Sequence, residues 1–254
     1  MKLIVFVCLL PLVSSWWKPG PTLSWQWQLT SKIHTNLDVQ VYDVDLFDAT
    51  DSDIHAIKSH GHKLVCYFSA GSYENWRADA KAFPSSALGN KLEGWEGEKW
   101  LDIRSSAVKT IMEARLAKAV SRGCDAVEPD NVDGYQNKNG VGLTSSNQKD
   151  YNIWLAKTAH SKGLSVGLKN AVDLIKDLEP YFDWALNEEC VNYDECDKYK
   201  PFLDKHKPVF HVEYVDNHSE GTNKAKKICN SHGRPHQFNT LIKDWDLTSW
   251  RMTC

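Results

Sequence analysis

The chain lacks the short motifs that mark several large classes of protein. It has no Gly-x-Gly-x-x-Gly turn of the kind that binds dinucleotides and no Gly-x-Ser-x-Gly elbow of the serine hydrolases. It has no Cys-x-x-Cys pair, which weakens a zinc site. A formal net charge of −3 supplies no basic excess for nucleic acid. We therefore expect no cofactor, no metal and no nucleic acid partner.

Long apolar runs are missing as well, apart from a short one at the N-terminus. Lys2 precedes an apolar segment that ends in small residues, which is the pattern of a secretory signal. The segment is shorter than the roughly 20 apolar residues that a membrane span requires. We predict a signal peptide over residues 1–15 and a secreted domain over residues 16–254, with no membrane segment after cleavage. A buried N-terminal strand is the alternative.

Cysteine is sparse, but its number is informative. Seven cysteines occur, and six remain if Cys8 leaves with the signal. An even number in an exported protein suggests disulfides, although the pairing does not follow from the count. The expected pairs, starting from the shortest loop, are Cys190–Cys196, Cys229–Cys254 and Cys66–Cys124.

Short β-rich segments alternate with helix-like segments along the chain. No Pro-, Ser- or Gly-rich linker divides the 254 residues, which is a common length for one α/β barrel. We predict an α/β fold, namely a single (β/α)8 TIM barrel with disulfides, and we expect a monomer. The predicted strands are 25–29, 39–45, 63–69, 124–130, 164–170, 183–188, 208–214 and 237–241.

Helices are predicted between these strands at 51–60, 106–121 and 147–162, and a glycine follows near the end of each. The segment Trp100–Ile103 is also β-rich, and counting it as a strand would make nine. An open, doubly wound sheet is the alternative architecture. The missing dinucleotide motif gives that alternative no functional support.

Acidic side chains recur at the C-terminal ends of the predicted strands. In a barrel these ends meet at one face, where active sites lie. Acids are rarely buried without a partner, so packing alone does not explain the repetition. Paired carboxylates suit glycosidic cleavage, because one donates a proton while the other attacks the sugar or activates water. The strand-end acids are Asp43, Asp45, Glu128, Asp130, Asp133, Glu188, Glu189 and Glu213.

Five ordered motifs add a further signal, and they are Trp25–Leu29, Val41–Phe47, Cys66–Glu74, Glu128–Tyr135 and Leu186–Cys190. Together they resemble glycoside hydrolase family 114, which is named for endo-α-1,4-polygalactosaminidases. The resemblance runs from about residue 24 to near residue 241. It implies a (β/α)8 barrel and cleavage of α-1,4-linked galactosamine polymers.

The resemblance also implies a catalytic pair. The family uses an Asp in a Pro-Asp-Asn motif and a Glu in an Asn-Glu motif, and the matching residues are Asp130 and Glu188. Asp130 would be the nucleophile of a retaining reaction and Glu188 its acid/base. The neighbouring acids Glu128, Asp133 and Glu189 leave the choice within each motif open.

Other strand-end residues are expected to bind the polysaccharide. Acids suit the ammonium groups of a cationic amino-sugar polymer through long-range attraction. Trp76 and Trp95 lie in the long segment after the third strand, where a barrel carries a binding loop. The expected substrate-binding residues are Asp43, Asp45, Tyr67, Asp133, Lys169, Glu189, Glu213 and Tyr214.

Two other functions remain compatible with the sequence. A barrel hydrolase acting on a different glycan or on an amide would keep Asp130 but use another partner. A barrel that binds a polysaccharide without cutting it would not need Asp130 and Glu188 together, so the presence of both speaks against it.

Overall fold

A computed structural model describes residues 15–254 of the protein. The predicted signal peptide therefore lies, apart from Ser15, outside the described residues. Within residues 15–254, no helix is both long enough and apolar enough to cross a membrane.

Eight parallel strands form one curled sheet in the order β1-β2-β3-β7-β8-β9-β10-β11, and β12 adds to β11 in the antiparallel sense. Each of the eight predicted strands is present, with ends that differ by up to three residues. The strands are β1 (Trp25–Gln28), β2 (Val41–Asp45), β3 (Lys63–Ser69), β4 (Ser72–Glu74), β5 (Leu88–Lys91), β6 (Glu98–Leu101), β7 (Ala126–Asp130), β8 (Ser165–Lys169), β9 (Trp184–Glu188), β10 (Val209–Val215), β11 (Asn239–Asp244) and β12 (Met252–Thr253).

Helices connect most of the barrel strands and cover the outside of the sheet. The three long predicted helices are confirmed. The side chains of Thr50 and Thr144 cap α1 and α3 by accepting bonds from backbone N–H groups three residues on. The helices are α1 (Asp51–Ser59), α2 (Ser106–Ser121), α3 (Ser145–Ser161), α4 (Ile175–Leu178), α5 (Lys200–Asp204) and α6 (Gly221–Cys229).

Large aromatic side chains fill the interior of the barrel. Trp25, Trp27 and Trp184 are almost fully buried in one apolar cluster with Phe210. A Cβ atom at Gly167 would lie 2.3 Å from the Trp184 ring, so only glycine lets this indole enter the interior at that level. The lumen is thus a packed core, and space for a ligand remains only at its mouth.

A small antiparallel sheet, in the order β4-β6-β5, stands on the C-terminal face of the barrel. It begins immediately after β3, because only Ala70 and Gly71 separate β3 from β4. The segment Trp100–Ile103 contributes to β6, which pairs with β4 and not with a barrel strand. The possible ninth strand therefore belongs to this accessory sheet and not to the barrel.

The barrel closes through the C-terminal segment, residues 243–254, which we call the seam. β1 and β11 do not pair with each other in the described part of the chain. Leu29 donates its backbone N–H to the carbonyl of Leu247 at 3.1 Å, and Gln26 Nε2 donates to the carbonyl of Ser249 at 2.8 Å. The Lys243 ammonium is buried there and donates to nearby backbone carbonyls.

Three disulfides are present, and they confirm the pairing expected from the sequence. Cys66 on β3 bonds to Cys124, two residues before the start of β7, and Cys190 and Cys196 close the loop after β9. Cys229 ties the end of α6 to Cys254, which fixes the C-terminus beside the start of β11.

Candidate active site

A cleft of about 550 Å³ opens at the C-terminal face of the barrel. Its size is typical of a pocket for a small molecule or a few sugar units. Among its described lining residues, Lys169 is the single basic side chain. The acids that line it are Glu98, Asp130, Asp133, Asp173, Glu188, Glu189 and Glu195.

Lys169, at the end of β8, connects three of the carboxylates. Its Nζ lies 3.0 Å from Glu128 Oε1 and 3.3 Å from both Asp130 Oδ1 and Glu188 Oε2. Burial alone would lower the pKa of Lys169, but the charges of these three carboxylates raise it well above its usual value. The ammonium is therefore fixed as a cation between the two predicted catalytic groups.

Asp130 ends β7 and is held from two sides. Tyr67 donates its hydroxyl to Asp130 Oδ2 at 3.0 Å, while the Asp130 carbonyl accepts the N–H groups of Ala70 and Gly71. A Cβ atom at Gly71 would lie 1.7 Å from the Asn131 carbonyl oxygen, so only glycine permits this close approach. The position of Asp130 thus depends on the chain that leads from β3 into the accessory sheet.

Glu188 ends β9 and has three donors around its carboxylate. Asn170 Nδ2 donates to Oε2 at 3.0 Å, the Tyr214 hydroxyl donates to Oε1, and Lys169 completes the set. Burial and the charge of Glu188 raise the pKa of Tyr214 well above its usual value, so the phenol stays a donor at neutral pH. The Tyr214 ring stacks on Trp245 at 4.2 Å. These contacts fix the direction of the Glu188 carboxylate.

The residue after each of β7, β8 and β9 has a positive φ. These are Asn131 at 58°, Asn170 at 45° and Glu189 at 63°. Asn adopts this conformation more readily than most residues, whereas Glu does so at a cost of about 1–3 kcal/mol. The chain turns away at the same point on three neighbouring strands, so the last side chain of each strand faces the cleft.

A second layer of acids lies beneath the cleft. Glu128 is fully buried and accepts from Trp27 Nε1 at 3.0 Å as well as from Lys169. Asp43 contacts Glu128, and burial together with the charge of Glu128 raises the pKa of Asp43 well above its usual value. Burial also raises the pKa of Glu128 to about 7, while its interaction with Asp43 lowers it, so Asp43 is the carboxyl of the pair that holds a proton more firmly. Neither carboxyl reaches the cleft.

The cleft brings together most of the residues predicted from the sequence. Burial raises the pKa of Asp133 to about 6, and the charge of Asp130 acts in the same direction. Trp95 of the predicted loop also lines the cleft, whereas Trp76 does not. The predicted residues found in the lining are Tyr67, Asp130, Asp133, Lys169, Glu188, Glu189 and Tyr214.

Asp43, Asp45 and Glu213 were expected to contact sugar, but the structure places all three outside the lining of the cleft. Asp43 lies beneath the cleft, and Asp45 forms a buried ion pair with Arg77 at 2.6 Å. Glu213 is fully buried on β10. Side chains alternate along a strand, so Tyr214 faces the barrel interior and Glu213 faces outward.

Glu213 has a structural partner instead. Its Oε1 accepts the backbone N–H groups of Val191 at 2.9 Å and Asn192 at 3.3 Å, and His211 Nε2 lies at 3.2 Å. The acid therefore holds the disulfide-closed loop that begins at Glu189. It acts on the cleft only through that loop.

Sequence reasoning missed several lining residues because they lie in loops and not at predicted strand ends. Glu98 comes from the accessory sheet, and Trp245 comes from the seam. The dense group of Gly, Trp and Glu residues at 93–100 was the one available signal for Glu98. The missed residues include Glu98, Asp173, Tyr193, Glu195 and Trp245.

The fold and the site define a class. A TIM barrel with two acids at the ends of β7 and β9, joined in an acid-lined cleft by one lysine from the strand between them, is the architecture of an O-glycosyl hydrolase. The chain belongs to glycoside-hydrolase family GH114, whose sequence profile matches residues 11–254. The resemblance inferred from the five motifs is thereby confirmed.

Two solved structures illustrate the relationship. Aspergillus fumigatus Ega3, solved in complex with galactosamine, is 41% identical with a TM-score of 0.88, over 94% of this chain and 98% of that chain. The glycoside hydrolase domain of PelA from Pseudomonas aeruginosa is 12% identical with a TM-score of 0.69, over 91% and 98% of the two chains, and supports the fold alone. No curated protein matches the chain.

Proposed function

We propose that this glycoside hydrolase cleaves α-1,4-linked galactosamine-containing polysaccharide. The observation that carries the proposal is the charge of the cleft, where seven carboxyl groups face a single lysine that is already paired. Such a cleft attracts a cationic polymer and repels an anionic one. The similarity to Ega3, which was solved with galactosamine, supports the same substrate class.

Asp130 and Glu188 are the catalytic pair in this proposal. Their side chains are 19% and 28% exposed, so both can touch a substrate in the cleft. Asp130 Oδ1 and Glu188 Oε2 each lie 3.3 Å from Lys169 Nζ, so these oxygens are no more than twice that distance apart. A retaining enzyme requires about 5–5.5 Å between its two carboxyl groups, and an inverting enzyme requires about 6.5–9.5 Å. The upper limit on the oxygen separation lies at the short end of the inverting range, so this geometry favours retention.

The reaction follows from this arrangement. The reaction begins with Glu188 protonated and Asp130 ionised. Glu188 gives its proton to the glycosidic oxygen while the Asp130 carboxylate attacks the anomeric carbon, which forms a glycosyl ester and releases the leaving sugar. Glu188 then takes a proton from water, and that water displaces Asp130 with net retention. Tyr67 and Lys169 hold Asp130 in line for the attack, and Tyr214 orients Glu188.

Substrate recognition falls to the remaining cleft residues. Asp133 and Glu189 lie beside the catalytic pair and suit the amine or hydroxyl groups of the sugar. Exposed rings at the rim, Trp95, Tyr193 and Trp245, offer flat apolar faces to the sugar rings. The partner in this proposal is the polysaccharide alone, bound by a monomer.

The cellular location is part of the same proposal. Residues 1–15 act as a secretory signal, and residues 16–254 form the secreted catalytic domain. The three disulfides support export, because such bonds persist in oxidising compartments and are rare in the cytosol.

Reducing-end release from purified α-1,4-galactosamine polymer, and from its partly N-acetylated form, tests the proposal. We expect the wild type to cut, and Asp130→Asn and Glu188→Gln each to lower turnover by roughly three orders of magnitude or more while keeping the fold. The control is Asp177→Asn, which removes one negative charge as Asp130→Asn does, but at an exposed position; it should keep wild-type turnover. A folded wild type that is inactive on both polymers would overturn the substrate class.

A further inference from the structure

The accessory sheet brings one carboxyl group into the cleft that the reaction does not use. Glu98 is the first residue of β6, and its side chain lines the cleft although only 6% of the residue is exposed. A carboxyl group this deeply buried requires a partner or must give up its charge. The contacts of Glu98 therefore decide what it can do.

One oxygen of Glu98 is fixed by the protein. Ser72 Oγ donates to Glu98 Oε2 at 2.6 Å, and Ser72 Oγ in turn accepts from Asn131 Nδ2 at 3.0 Å. Ser69 Oγ lies within hydrogen-bond distance of Ser72 Oγ as well. This chain connects Glu98 to the residue that follows Asp130, so its position relative to the catalytic centre is set.

The other oxygen, Oε1, has no protein hydrogen bond within residues 15–254, and Glu98 forms no ion pair there. The basic groups nearby are already engaged, because Arg77 binds Asp45 and Glu74 and Lys169 binds its three carboxylates. Oε1 thus faces the cleft without a cation. It is the acceptor that the folded protein leaves for a ligand.

The charged and titratable groups around Glu98 come from three elements. Glu74 on β4 and Asp130 on β7 are acids, Tyr67 on β3 is a phenol, and Arg77 follows β4. Burial raises the pKa of Glu98 to about 7. The Ser72 hydrogen bond opposes this shift, the charges of Glu74 and Asp130 add to it, and the charge of Arg77 opposes it. Near neutral pH a part of the population therefore carries a proton on Glu98.

We propose that Glu98 is the residue that selects the free amine of the substrate, by binding one ammonium group of the polymer as a carboxylate and releasing its own proton to solvent. The inference rests on the proposed function and names the residue that recognises the amine. The balance is simple: the neutral acid and the ammonium become a carboxylate–ammonium pair plus one proton in solution. An N-acetyl group has no charge and cannot drive this exchange.

The sign of the pH dependence follows from the exchange. Below pH about 7, binding must expel the proton from Glu98, so the contribution of Glu98 to amine affinity rises as the pH rises through this range. Above pH about 7, Glu98 is already ionised and releases no proton. The sugar amine itself loses its charge at about pH 8, as an α-amino group does, which ends the rise in affinity. Asp133 and Glu128 also titrate near this range, so the difference between variants isolates Glu98.

Calorimetric titration of Glu188→Gln, which keeps the cleft but removes the acid/base, measures affinity and proton release together. The ligands are an α-1,4-galactosamine oligomer and its fully N-acetylated form, in two buffers of different ionisation enthalpy at pH 6 and pH 8. We expect proton release for the amine oligomer at pH 6 and much less at pH 8. Adding Glu98→Gln should weaken amine binding about tenfold at pH 8 and remove its share of proton release at pH 6.

Two further variants keep the test decisive. Glu96→Gln makes the same charge change at an exposed position in the turn that leads into β6, and it should leave affinity within about twofold. Ser72→Ala keeps Glu98 but removes the hydrogen bond that favours its ionised form, so proton release should extend to higher pH. This variant tests Glu98 even if Glu98→Gln does not fold.

The outcomes separate the two proposals. If the amine oligomer binds, and neither its affinity nor its proton release changes with Glu98→Gln, the assignment of Glu98 is wrong while the proposed substrate stands. If no galactosamine oligomer binds to the folded protein, the proposed function fails and the role of Glu98 fails with it.

Discussion

Two buried lysines show how differently the two sides of this barrel are built. Lys169, at the end of β8, has three carboxylates around its ammonium. Lys243, on β11 in the seam, donates instead to the backbone carbonyls of Thr248 at 2.7 Å and Trp250 at 2.8 Å. Both side chains are almost fully removed from solvent.

Their pKa values shift in opposite directions. Burial lowers the pKa of Lys243 to about 7, because neutral carbonyl oxygens do not compensate for lost hydration of the charge. For Lys169 the carboxylates more than compensate, and its pKa rises. Burial alone therefore does not fix the charge of a lysine. The catalytic side of the barrel holds a permanent cation, and the seam holds a donor that titrates.

The largest effect is expected when the cation at the catalytic side is removed. Lys169→Met leaves Glu128 buried without its cation and two cleft acids without their common partner. We expect the free energy of unfolding to fall by about 3–5 kcal/mol, with activity lost. Urea unfolding at pH 7 measures the stability change. Lys149→Met, which removes an exposed ion pair with Asp177, should cost less than about 1 kcal/mol. A similar cost for both variants would refute the contrast between buried and exposed pairs.

The next effect concerns the covalent fixation of the seam. The Cys229→Ser/Cys254→Ser variant opens a bond that spans 25 residues, and we expect a loss of about 3 kcal/mol with turnover within about twofold of wild type. The bond lies at the end of the barrel away from the cleft.

The bond between Cys190 and Cys196 provides the matched control, because it spans only 6 residues but closes the loop that begins at Glu189. Removing this bond should lower the free energy of unfolding less than removing the Cys229–Cys254 bond does, but it should lower turnover more. Thermal unfolding and reducing-end release, measured on both variants, decide the point. Equal losses of activity would show that the bond between Cys229 and Cys254 and the cleft are not separate in function.

The smallest effect at neutral pH is expected for Lys243→Met. The apolar side chain loses two hydrogen bonds but avoids the cost of a buried charge, so stability at pH 7 should change by no more than about 1 kcal/mol.

The pH dependence of this variant is the sharper test. Between pH 7 and 10.5 the unfolded chain binds more protons at Lys243 than the folded one. The free energy of unfolding of the wild type should therefore rise relative to that of Lys243→Met as the pH rises. The gain is at most about 1.4 kcal/mol per pH unit. Denaturant unfolding at pH 7 and pH 9 measures it. A difference that does not change with pH would mean that Lys243 stays charged.

The barrel itself was predictable because its signals are local. Alternating apolar segments, helix spacing and glycines after helices identify the elements, and the convergence of strand ends then brings Asp130 and Glu188 to one face. Three consecutive strands of the sheet supply these groups: β7 carries Asp130, β8 carries the bridging Lys169 and β9 carries Glu188. This part of the site needs no knowledge of loop structure.

The errors have two physical causes. Asp45 and Glu213 were expected in the cleft because they lie near strand ends, but alternation turns Glu213 outward and Arg77 captures Asp45. Glu98 was missed because its place depends on the pairing of β4 with β6, a contact between segments that are 24 or more residues apart. No local pattern specifies that contact.

The seam has a practical consequence for handling the protein. Cys254 donates its backbone N–H to Thr240 near the start of β11, and Trp16 contacts Asp183 just before β9. Both ends of the described chain therefore emerge at the pole of the barrel opposite the cleft. A solid support or a fluorescent reporter attached at either end would leave the cleft facing outward, open to a long polymer. Immobilised enzyme should then cut material that never enters solution.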